Sequence, residues 1–183
     1  RLAAICRNEY MTETPVKEGK IELKADMDGY FTVDTDRLND INMLDDIMIA
    51  TRHGNTAVHK GDKLCGTRII PLVIEEERLK KAEDICGNKP ILSLHPYKIK
   101  TAGVITTGSE VFTGRIKDTF TPVIVEKLKA YGGGVKEHII TDDGLENIKN
   151  AIADMRKRGV EMICTTGGMS VDPDDNTPGA IKQ

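Results

Sequence analysis

The sequence has few aromatic residues and no long apolar run, and both absences exclude classes of function. Trp is absent and aromatic residues make up 4% of the 183 residues, so stacking platforms for single-stranded nucleic acid are not expected. The net charge of -3 gives no electrostatic attraction for a nucleic acid. No apolar stretch approaches the roughly 20 residues that span a bilayer, and no basic-then-apolar leader is seen. We therefore expect a cytoplasmic protein with neither a nucleic acid nor a membrane as its partner.

Cysteine is scarce, and several familiar catalytic motifs are missing. The four thiols are Cys6, Cys65, Cys86 and Cys164. None of them forms a C-x-x-C pair, which predicts reduced and inert side chains. No Walker A loop and no G-x-G-x-x-G are present, so neither a P-loop nor a dinucleotide Rossmann site is indicated. Ser109 and Ser170 have no suitably placed histidine for a hydrolytic triad.

The N-terminal half has the pattern of a small β-rich module with short helices. Lys20–Ala25 alternates apolar and polar residues, as a half-buried strand does. Asp28-Gly29 then precedes the apolar run Tyr30–Val33, and this pair predicts a hairpin turn between two strands. Further along, the patterns predict a helix over 36–44, a strand over 47–51, a buried run over 67–74 and a helix over 75–85.

A cluster of Gly87, Pro90 and Pro96 marks a change of pattern, and we place a domain boundary between residues 97 and 98. Strands and helices alternate after it. The predicted elements are strand 99–106, helix 119–130, strand 135–140, helix 144–157 and strand 160–165. This alternation predicts βαβ units with a parallel sheet. Asp143, with Glu146 three residues later, predicts a capping box at the second helix.

Two apolar strands of the C-terminal half each run into a glycine turn. The first turn reads Thr107-Gly108-Ser109, and the second reads Thr166-Gly167-Gly168-Met169-Ser170. Glycine lets the backbone approach an anion closely, and neighbouring hydroxyls add donors. Because ligands of α/β sheets bind beyond the carboxyl ends of the strands, the turns predict a site for a phosphorylated ligand.

Acidic residues follow the same strands and predict a divalent cation. Parallel strands end on one side of a sheet, so Glu110, Asp142 or Asp143, and Asp175 can approach one another. Several carboxylates in one cleft favour Mg²⁺, a hard ion that prefers oxygen ligands. The plain alternatives are helix caps at Asp118 and Asp143 and solvated turn residues at Asp172, Asp174 and Asp175.

Four segments occur in an order that belongs to a known family. They are Thr107–Glu110, Gly114–Asp118, Thr141–Asp143 and Thr166–Val171, the last followed by 172–178. Residues from about 98 to 183 resemble the molybdopterin-binding domain shared by molybdopterin adenylyltransferase, molybdenum insertase, gephyrin and the competence-damage-inducible protein family. The last segment, with an acid four positions beyond Val171, looks closer to the insertase branch.

The expected fold is α/β in two parts, the first predicted from the residue pattern and the second implied by the resemblance. A β-rich module over 1–97 precedes a three-layer α/β/α domain over 98–183 with a mainly parallel sheet. Members of the family assemble as trimers or dimers, so the resemblance implies a homo-oligomer. Thr177 and Pro178 begin a helix that the sequence leaves after about one turn, and we therefore expect this domain to be incomplete.

The resemblance also implies a ligand and residue roles. The ligand is molybdopterin or its AMP adduct, held with Mg²⁺, and the activity assists molybdate insertion by a transferase of molybdenum cofactor biosynthesis. The residues implied to contact this ligand are Thr107, Gly108, Ser109, Thr166, Gly167, Gly168, Met169 and Ser170. Glu110 and Asp175 are implied metal ligands, and Asp142 or Asp143 with Asp175 the catalytic acids. A non-catalytic carrier or sensor and a competence-damage-related nucleotide pyrophosphatase are the alternatives.

Overall fold

The computed structural model describes residues 1–170 and 175–183. The chain folds into two compact units, Arg1–Tyr97 and Lys98–Gln183. Both units combine helices with sheets, which confirms the predicted α/β class. Asp172 and Asp174, considered above as turn acids, lie outside the described residues. No helix in the described part of the chain is both long and apolar enough to cross a membrane.

The N-terminal unit contains two antiparallel sheets and three helices. The first sheet has the order β1-β2-β6-β4 and contains β1 (Met11–Glu13), β2 (Lys20–Ala25), β4 (Ile47–Thr51) and β6 (Lys63–Ile69). The second has the order β5-β3-β7 and contains β3 (Gly29–Val33), β5 (Thr56–Val58) and β7 (Leu92–Pro96). The helices are α1 (Leu2–Cys6), α2 (Thr35–Asn42) and α3 (Glu76–Cys86).

Buried apolar side chains from both sheets and all three helices form one core in this unit. Three of the cysteines lie in it, at Cys6, Cys65 and Cys86. Burial raises the pKa of all three thiols, that of Cys65 to about 12. Because the thiolate is the reactive form, these cysteines are inert apolar core residues.

The predicted hairpin at Asp28-Gly29 is wrong. Strands β2 and β3 lie on either side of this pair, but they belong to different sheets. Gly29 is instead the first residue of β3, where it pairs with Pro96 of β7. A Cβ atom there would lie 2.5 Å from the carbonyl oxygen of His95. Glycine is therefore needed for the close approach of a neighbouring strand and not for a turn.

Two further expectations for this unit differ from the structure. The buried run predicted over 67–74 stops at Ile69, since Leu72 and Val73 are exposed side chains. Strand β7 lies inside the Pro- and Gly-containing segment before residue 98, where we predicted no strand. Its pairing partner, β3, is about 60 residues away in the sequence, so local patterns give no signal for it.

The C-terminal unit is built around a parallel sheet of three strands, in the order β10-β8-β9. The strands are β8 (Thr101–Thr107), β9 (Gly134–Thr141) and β10 (Met162–Thr166). The helices are α4 (Ser109–Phe112), α5 (Phe120–Ala130), α6 (Leu145–Lys157) and α7 (Thr177–Lys182). The predicted βαβ alternation is confirmed, and the predicted limits of its strands and helices differ by at most two residues.

Helices α5 and α6 pack on opposite faces of this sheet. Alternate residues of a strand point to opposite faces. Gly103 of β8 lies beneath Met155 of α6, where an added Cβ would be 2.5 Å from the Met155 sulfur. Thr106, on the other face of β8, contacts Thr121 of α5 through their hydroxyl oxygens at 3.2 Å. The unit therefore has the three layers expected from the sequence.

Candidate functional site

A cavity of about 440 Å³ lies at the carboxyl ends of the parallel strands. It is lined by Thr106, Thr107, Gly108, Ser109, Glu110, Val111, Ile116, Lys117, Asp118, Thr119, Phe120, Asp143, Thr166 and Gly167. These residues come from the ends of β8 and β10, from the segment after β9 and from the approach to α5. The order β10-β8-β9 places β8 in the centre, so both glycine turns and one acidic segment meet at this edge of the sheet.

The first glycine turn is held by a carboxylate from the segment that follows the neighbouring strand β9. Asp143 Oδ2 accepts hydrogen bonds from the backbone N–H of Ser109 at 2.8 Å and from its hydroxyl at 3.0 Å. The backbone N–H of Gly108 donates to the carbonyl of Thr141 at 3.2 Å. The donors that we expected to face a phosphate at this turn therefore hold the turn against β9 and Asp143.

The second glycine turn is packed closely against the end of β8. Gly167 and Gly168 both have positive φ, at 88° and 54°. A Cβ atom at Gly167 would collide with the carbonyl oxygen of Thr107, and one at Gly168 would lie 2.9 Å from Thr177 Oγ1. The Thr177 hydroxyl donates to the carbonyl of Gly167 at 3.1 Å. Space as well as conformation therefore demands glycine here.

Asp142 and Asp143 are adjacent in sequence but have different surroundings. Asp142 Oδ1 accepts hydrogen bonds from the Gly144 N–H at 2.9 Å and from the Asn147 amide at 2.8 Å, at the start of α6. These hydrogen bonds, the Asn147 one first, lower the pKa of Asp142. Asp143 lines the cavity, and Asp142 is absent from its described lining. Only Asp143 is placed to face a ligand there.

The predicted capping box at α6 is wrong. Gly144 is the N-cap residue, and no side chain caps the helix there by a hydrogen bond. The side chain of Asp143 binds Ser109 instead. Glu146 pairs with Lys149. The contact between Asp143 and Ser109 replaces the expected helix cap. A pattern of four consecutive residues cannot reveal such a contact, because Ser109 is distant in the sequence.

Asp118 is the most strongly held carboxylate on the cavity wall. Its Oδ1 accepts the backbone N–H groups of Phe120 and Thr121 at 2.9 and 3.1 Å. Its Oδ2 accepts the hydroxyls of Thr106 and Thr121 at 2.8 and 2.6 Å. Burial acts to raise the pKa of Asp118, but these hydrogen bonds outweigh it and lower the pKa to about 2. Asp118 is thus a fixed negative charge, and it caps α5, as one of our alternatives expected.

Comparison with known proteins gives this unit a family. Residues 103–183 match the model of the probable molybdopterin-binding domain. Residues 103–183 are thus similar to the molybdopterin-binding domain family, as the sequence motifs predicted. The match includes every residue that lines the cavity, since the lining runs from Thr106 to Gly167.

Related proteins match less than half of the chain. The CinA-like protein of Mycobacterium tuberculosis strain H37Rv is 36% identical over 76 residues, which are 42% of this chain and 18% of that relative. The chain therefore spans less than a fifth of the length of such curated relatives. CinA from Thermoplasma acidophilum is 28% identical, with a TM-score of 0.43 over 45% of this chain and 48% of that chain. MoaB from Thermus thermophilus is 28% identical, with a TM-score of 0.44 over 46% and 54%.

Most, but not all, of the residues predicted for the site line the cavity of the molybdopterin-binding domain. Those that do are Thr107, Gly108, Ser109, Glu110, Asp143, Thr166 and Gly167. Those outside its described lining are Asp142, Gly168, Met169, Ser170 and Asp175. Sequence reasoning missed the apolar wall formed by Val111, Ile116 and Phe120. Phe120 is 65% exposed, and periodic apolar patterns identify only buried faces, so they could not reveal this residue.

Carboxylates in and near the cavity bear on the predicted Mg²⁺ site. Within the described residues, no three His, Cys, Asp or Glu side chains are grouped closely enough to hold a metal ion. Mg²⁺ in phosphate sites, however, commonly uses one or two carboxylates together with phosphate oxygens. Glu110 and Asp143 both line the cavity. Asp175 Oδ2 is buried and has no hydrogen-bond partner in the part of the chain that the structure describes. The two cavity carboxylates, used together with phosphate oxygens, are a donor set compatible with Mg²⁺.

Proposed function

We propose that the C-terminal unit binds molybdopterin, or its adenylylated form, in the cavity between the glycine turns. The observation that carries this proposal is the position of the cavity, at the carboxyl ends of three parallel strands and inside the segment matched to the family. Its volume of about 440 Å³ lies in the range of small-molecule sites. Clefts at the carboxyl ends of strands are the usual ligand sites of open α/β sheets.

The lining provides separate surfaces for the two ends of this ligand. Ile116 and Phe120 expose about half or more of their surface and offer apolar contact to a planar pterin ring. The Thr107, Ser109 and Thr166 side chains form the polar part of the lining near the strand ends. Their hydroxyl hydrogens already have acceptors in the protein, so a phosphate would replace those acceptors in order to bind them. Lys117, also on the lining, adds a positive charge for the same group. The cavity thus combines an apolar wall with polar groups that fix orientation.

Glu110 and Asp143 would hold Mg²⁺ in this proposal, together with phosphate oxygens of the ligand. When bound, the ion would neutralise phosphate charge that these carboxylates otherwise repel. Asp143 would keep Oδ2 on Ser109 and turn Oδ1 to the ion, because Oδ1 accepts no hydrogen bond from the described residues. Asp175, with its unpartnered buried oxygen, stays a predicted further ligand.

In its catalytic form the proposed activity belongs to the insertase branch. Adenylylated molybdopterin and molybdate would be the substrates, and AMP would be released. Glu110, Asp143 and Asp175 are the residues that we propose to act near the phosphoanhydride. Family members assemble into trimers or dimers, so we also propose a homo-oligomer, which light scattering on the purified full chain would measure.

The decisive experiment supplies the full chain with adenylylated molybdopterin, Mg²⁺ and molybdate, and measures both binding and AMP release. Asp143→Ala should weaken binding by roughly tenfold or more, because it removes a cavity carboxylate and loosens the Ser109 turn. Asp142→Ala is the matched control, with affinity expected within about twofold of wild type, since the hydrogen-bond partners of Asp142 among the described residues lie at the start of α6. Equal losses in the two variants, or no binding by wild type, would contradict the proposal.

A second function is favoured by one specific observation, the 36% identity to CinA-like proteins. In that case the same cavity would hydrolyse a nucleotide pyrophosphate with Mg²⁺. A panel of nucleotide pyrophosphates, assayed for nucleoside monophosphate release, separates the two activities. Tight molybdopterin binding with no AMP release and no pyrophosphate hydrolysis would leave the carrier or sensor function.

A further inference from the structure

A histidine that the proposed function does not use lies behind the cavity wall. His138 is on β9, next to β8, where it pairs with Val104. Its Nε2 is 3.0 Å from the Thr106 hydroxyl oxygen, 3.2 Å from that of Thr121 and 3.3 Å from Asp118 Oδ2. The ring nitrogen therefore meets three oxygen atoms at hydrogen-bond or ion-pair distance. Two are the threonine hydroxyls that bind Asp118, and the third belongs to the Asp118 carboxylate.

The hydrogens in this cluster can be assigned by counting donors. A threonine hydroxyl has one hydrogen, and an ionised carboxylate only accepts. Thr106 and Thr121 each direct that hydrogen to Asp118 Oδ2, at 2.8 and 2.6 Å. Only lone pairs of the two hydroxyls then remain to face His138. With both hydroxyl hydrogens on Asp118, an unprotonated Nε2 would meet three acceptors without a hydrogen between them, so this arrangement requires a hydrogen on Nε2.

We propose that His138 is a positioning residue for the cavity, which donates from Nε2 and thereby keeps both threonine hydroxyls directed at Asp118. The proposal rests on the proposed function only in taking this cavity as the ligand site. His138 does not line the cavity, and it acts through Thr106 and Thr121. Its role is to hold a wall carboxylate ionised and in one orientation.

The opposite tautomer would dismantle this arrangement. With the hydrogen on Nδ1, Nε2 becomes an acceptor, and the nearest hydroxyl hydrogen would turn from Asp118 toward the ring. Asp118 Oδ2 would then lose one of its two short hydrogen bonds. The Thr166 hydroxyl does not replace it, because it donates to Thr106 Oγ1 at 3.4 Å and not to the carboxylate.

The first test is the tautomer of His138 in the wild-type full chain, measured by long-range ¹H–¹⁵N correlation after ¹⁵N labelling of histidine. The neutral ring should carry its hydrogen on Nε2. His95, in the N-terminal unit, is the internal reference, because its Nε2 lies 3.1 Å from a single threonine hydroxyl, that of Thr32. An Nδ1–H tautomer at His138 would overturn the proposal without any ligand being added.

The second test compares His138→Leu with His138→Gln, and His95→Leu serves as the matched control. The leucine variant should raise the pKa of Asp118, followed by ¹³C NMR of its carboxyl carbon, and weaken molybdopterin binding by about three- to tenfold. The glutamine variant, which keeps an N–H donor, should restore much of both. The control should change neither.

The outcomes separate this proposal from the proposed function. An unchanged Asp118 pKa in His138→Leu, or a glutamine variant as impaired as the leucine variant, would contradict the positioning role. If wild type shows the Nε2–H tautomer and the pKa response but binds no molybdopterin, the positioning of Asp118 stands and the proposed ligand is wrong. If His138→Leu fails to fold, the wild-type tautomer and the glutamine variant still test the positioning role of His138.

Discussion

The two glycine turns of the C-terminal unit look alike in sequence but differ in what surrounds them. At Gly108 the backbone has a φ of 137°, and an added Cβ would meet no atom within 4 Å. At Gly167 the φ is 88°, and an added Cβ would collide with the carbonyl of Thr107. The first glycine is thus required by conformation alone, and the second by conformation and by close packing on β8.

The same Thr-Gly pattern therefore serves two different structural roles in this unit. The turn after β10 joins the strand ends, because Thr177 and Thr107 enclose it through buried hydroxyls 3.2 Å apart. The turn after β8 faces the cavity and is held by Asp143. Changes at the second turn should therefore cost more stability than changes at the first, and changes at the first should also weaken ligand binding.

The largest expected effect is that of Gly167→Ala. Positive-φ strain and the collision with Thr107 together should lower the free energy of unfolding by about 3 kcal/mol or more. Denaturant unfolding of the full chain, followed by circular dichroism, measures it. Gly159→Ala is the control, since Gly159 has a φ of 70° but open space around a Cβ, and should cost only about 1–2 kcal/mol. Equal losses of stability in Gly167→Ala and Gly159→Ala would contradict the role of close packing at Gly167.

A smaller loss is expected from Asp118→Asn, and it should depend on pH. The pKa of Asp118 is about 2 in the folded chain and about 3.9 when unfolded. A lowered folded pKa contributes stability that is complete above the unfolded pKa and is lost as the pH falls through the folded pKa. Asp118→Asn should therefore cost about 2 kcal/mol at pH 6.

The difference between wild type and Asp118→Asn should shrink as the pH falls from about 4 to about 2. Denaturant midpoints of both proteins across this range measure the difference. The two proteins share all other carboxylates, so the contribution of those groups to the pH dependence cancels in the difference. A difference that is constant with pH would mean that Asp118 is not held as an ionised acceptor.

Gly108→Ala should destabilise less than Gly167→Ala, by about 1–3 kcal/mol, because only backbone strain opposes the methyl group. Molybdopterin affinity should fall along with it, since the strain is relieved by moving the turn that lines the cavity. Calorimetric titration and denaturant unfolding of the same sample give both quantities. A loss of stability as large as that of Gly167→Ala would contradict the open surroundings of Gly108.

The smallest effect is expected from Ser109→Ala. This variant removes the 3.0 Å hydroxyl bond to Asp143 but keeps the 2.8 Å bond from the backbone N–H. It should cost about 0.5–1.5 kcal/mol of stability, the net value of one hydrogen bond. A loss well above that of Gly108→Ala would show that the hydroxyl, and not the backbone, fixes the turn.

Sequence patterns predicted the C-terminal unit well because its signals are local. The apolar stripe of α6 repeats at the helical period, and β8 and β10 are short apolar runs that end at glycine turns. The same reasoning failed at Gly29 and at β7, where the determining contact joins segments about 60 residues apart. It could not choose between Asp142 and Asp143 either, since that choice depends on Ser109 and Asn147.

The site was predictable in its position but not in its internal contacts. Strand ends and glycine turns located the cavity. No sequence pattern predicted the cluster of Thr106, Thr121 and His138 around Asp118, because each of these residues fits the ordinary pattern of its own strand or helix. Hydrogen-bond clusters of this kind depend on the register between neighbouring elements, which no single segment encodes.

Strand β7 has a consequence for making the N-terminal unit by itself. Its main chain is bound by the Asn8 side chain in a pair of hydrogen bonds, called here the Asn8 clasp. The Asn8 amide donates to the Leu94 carbonyl at 2.9 Å and accepts from the Leu94 N–H at 3.3 Å. The first and last parts of the unit thus close on each other, and a ribosome must release both before the sheet is complete. A polypeptide cut just before Leu92, where the prolines suggest a linker, would leave Asn8 unsatisfied and β3 with an open edge. A cut after Tyr97, whose hydroxyl donates to the Gly29 carbonyl, keeps the clasp intact.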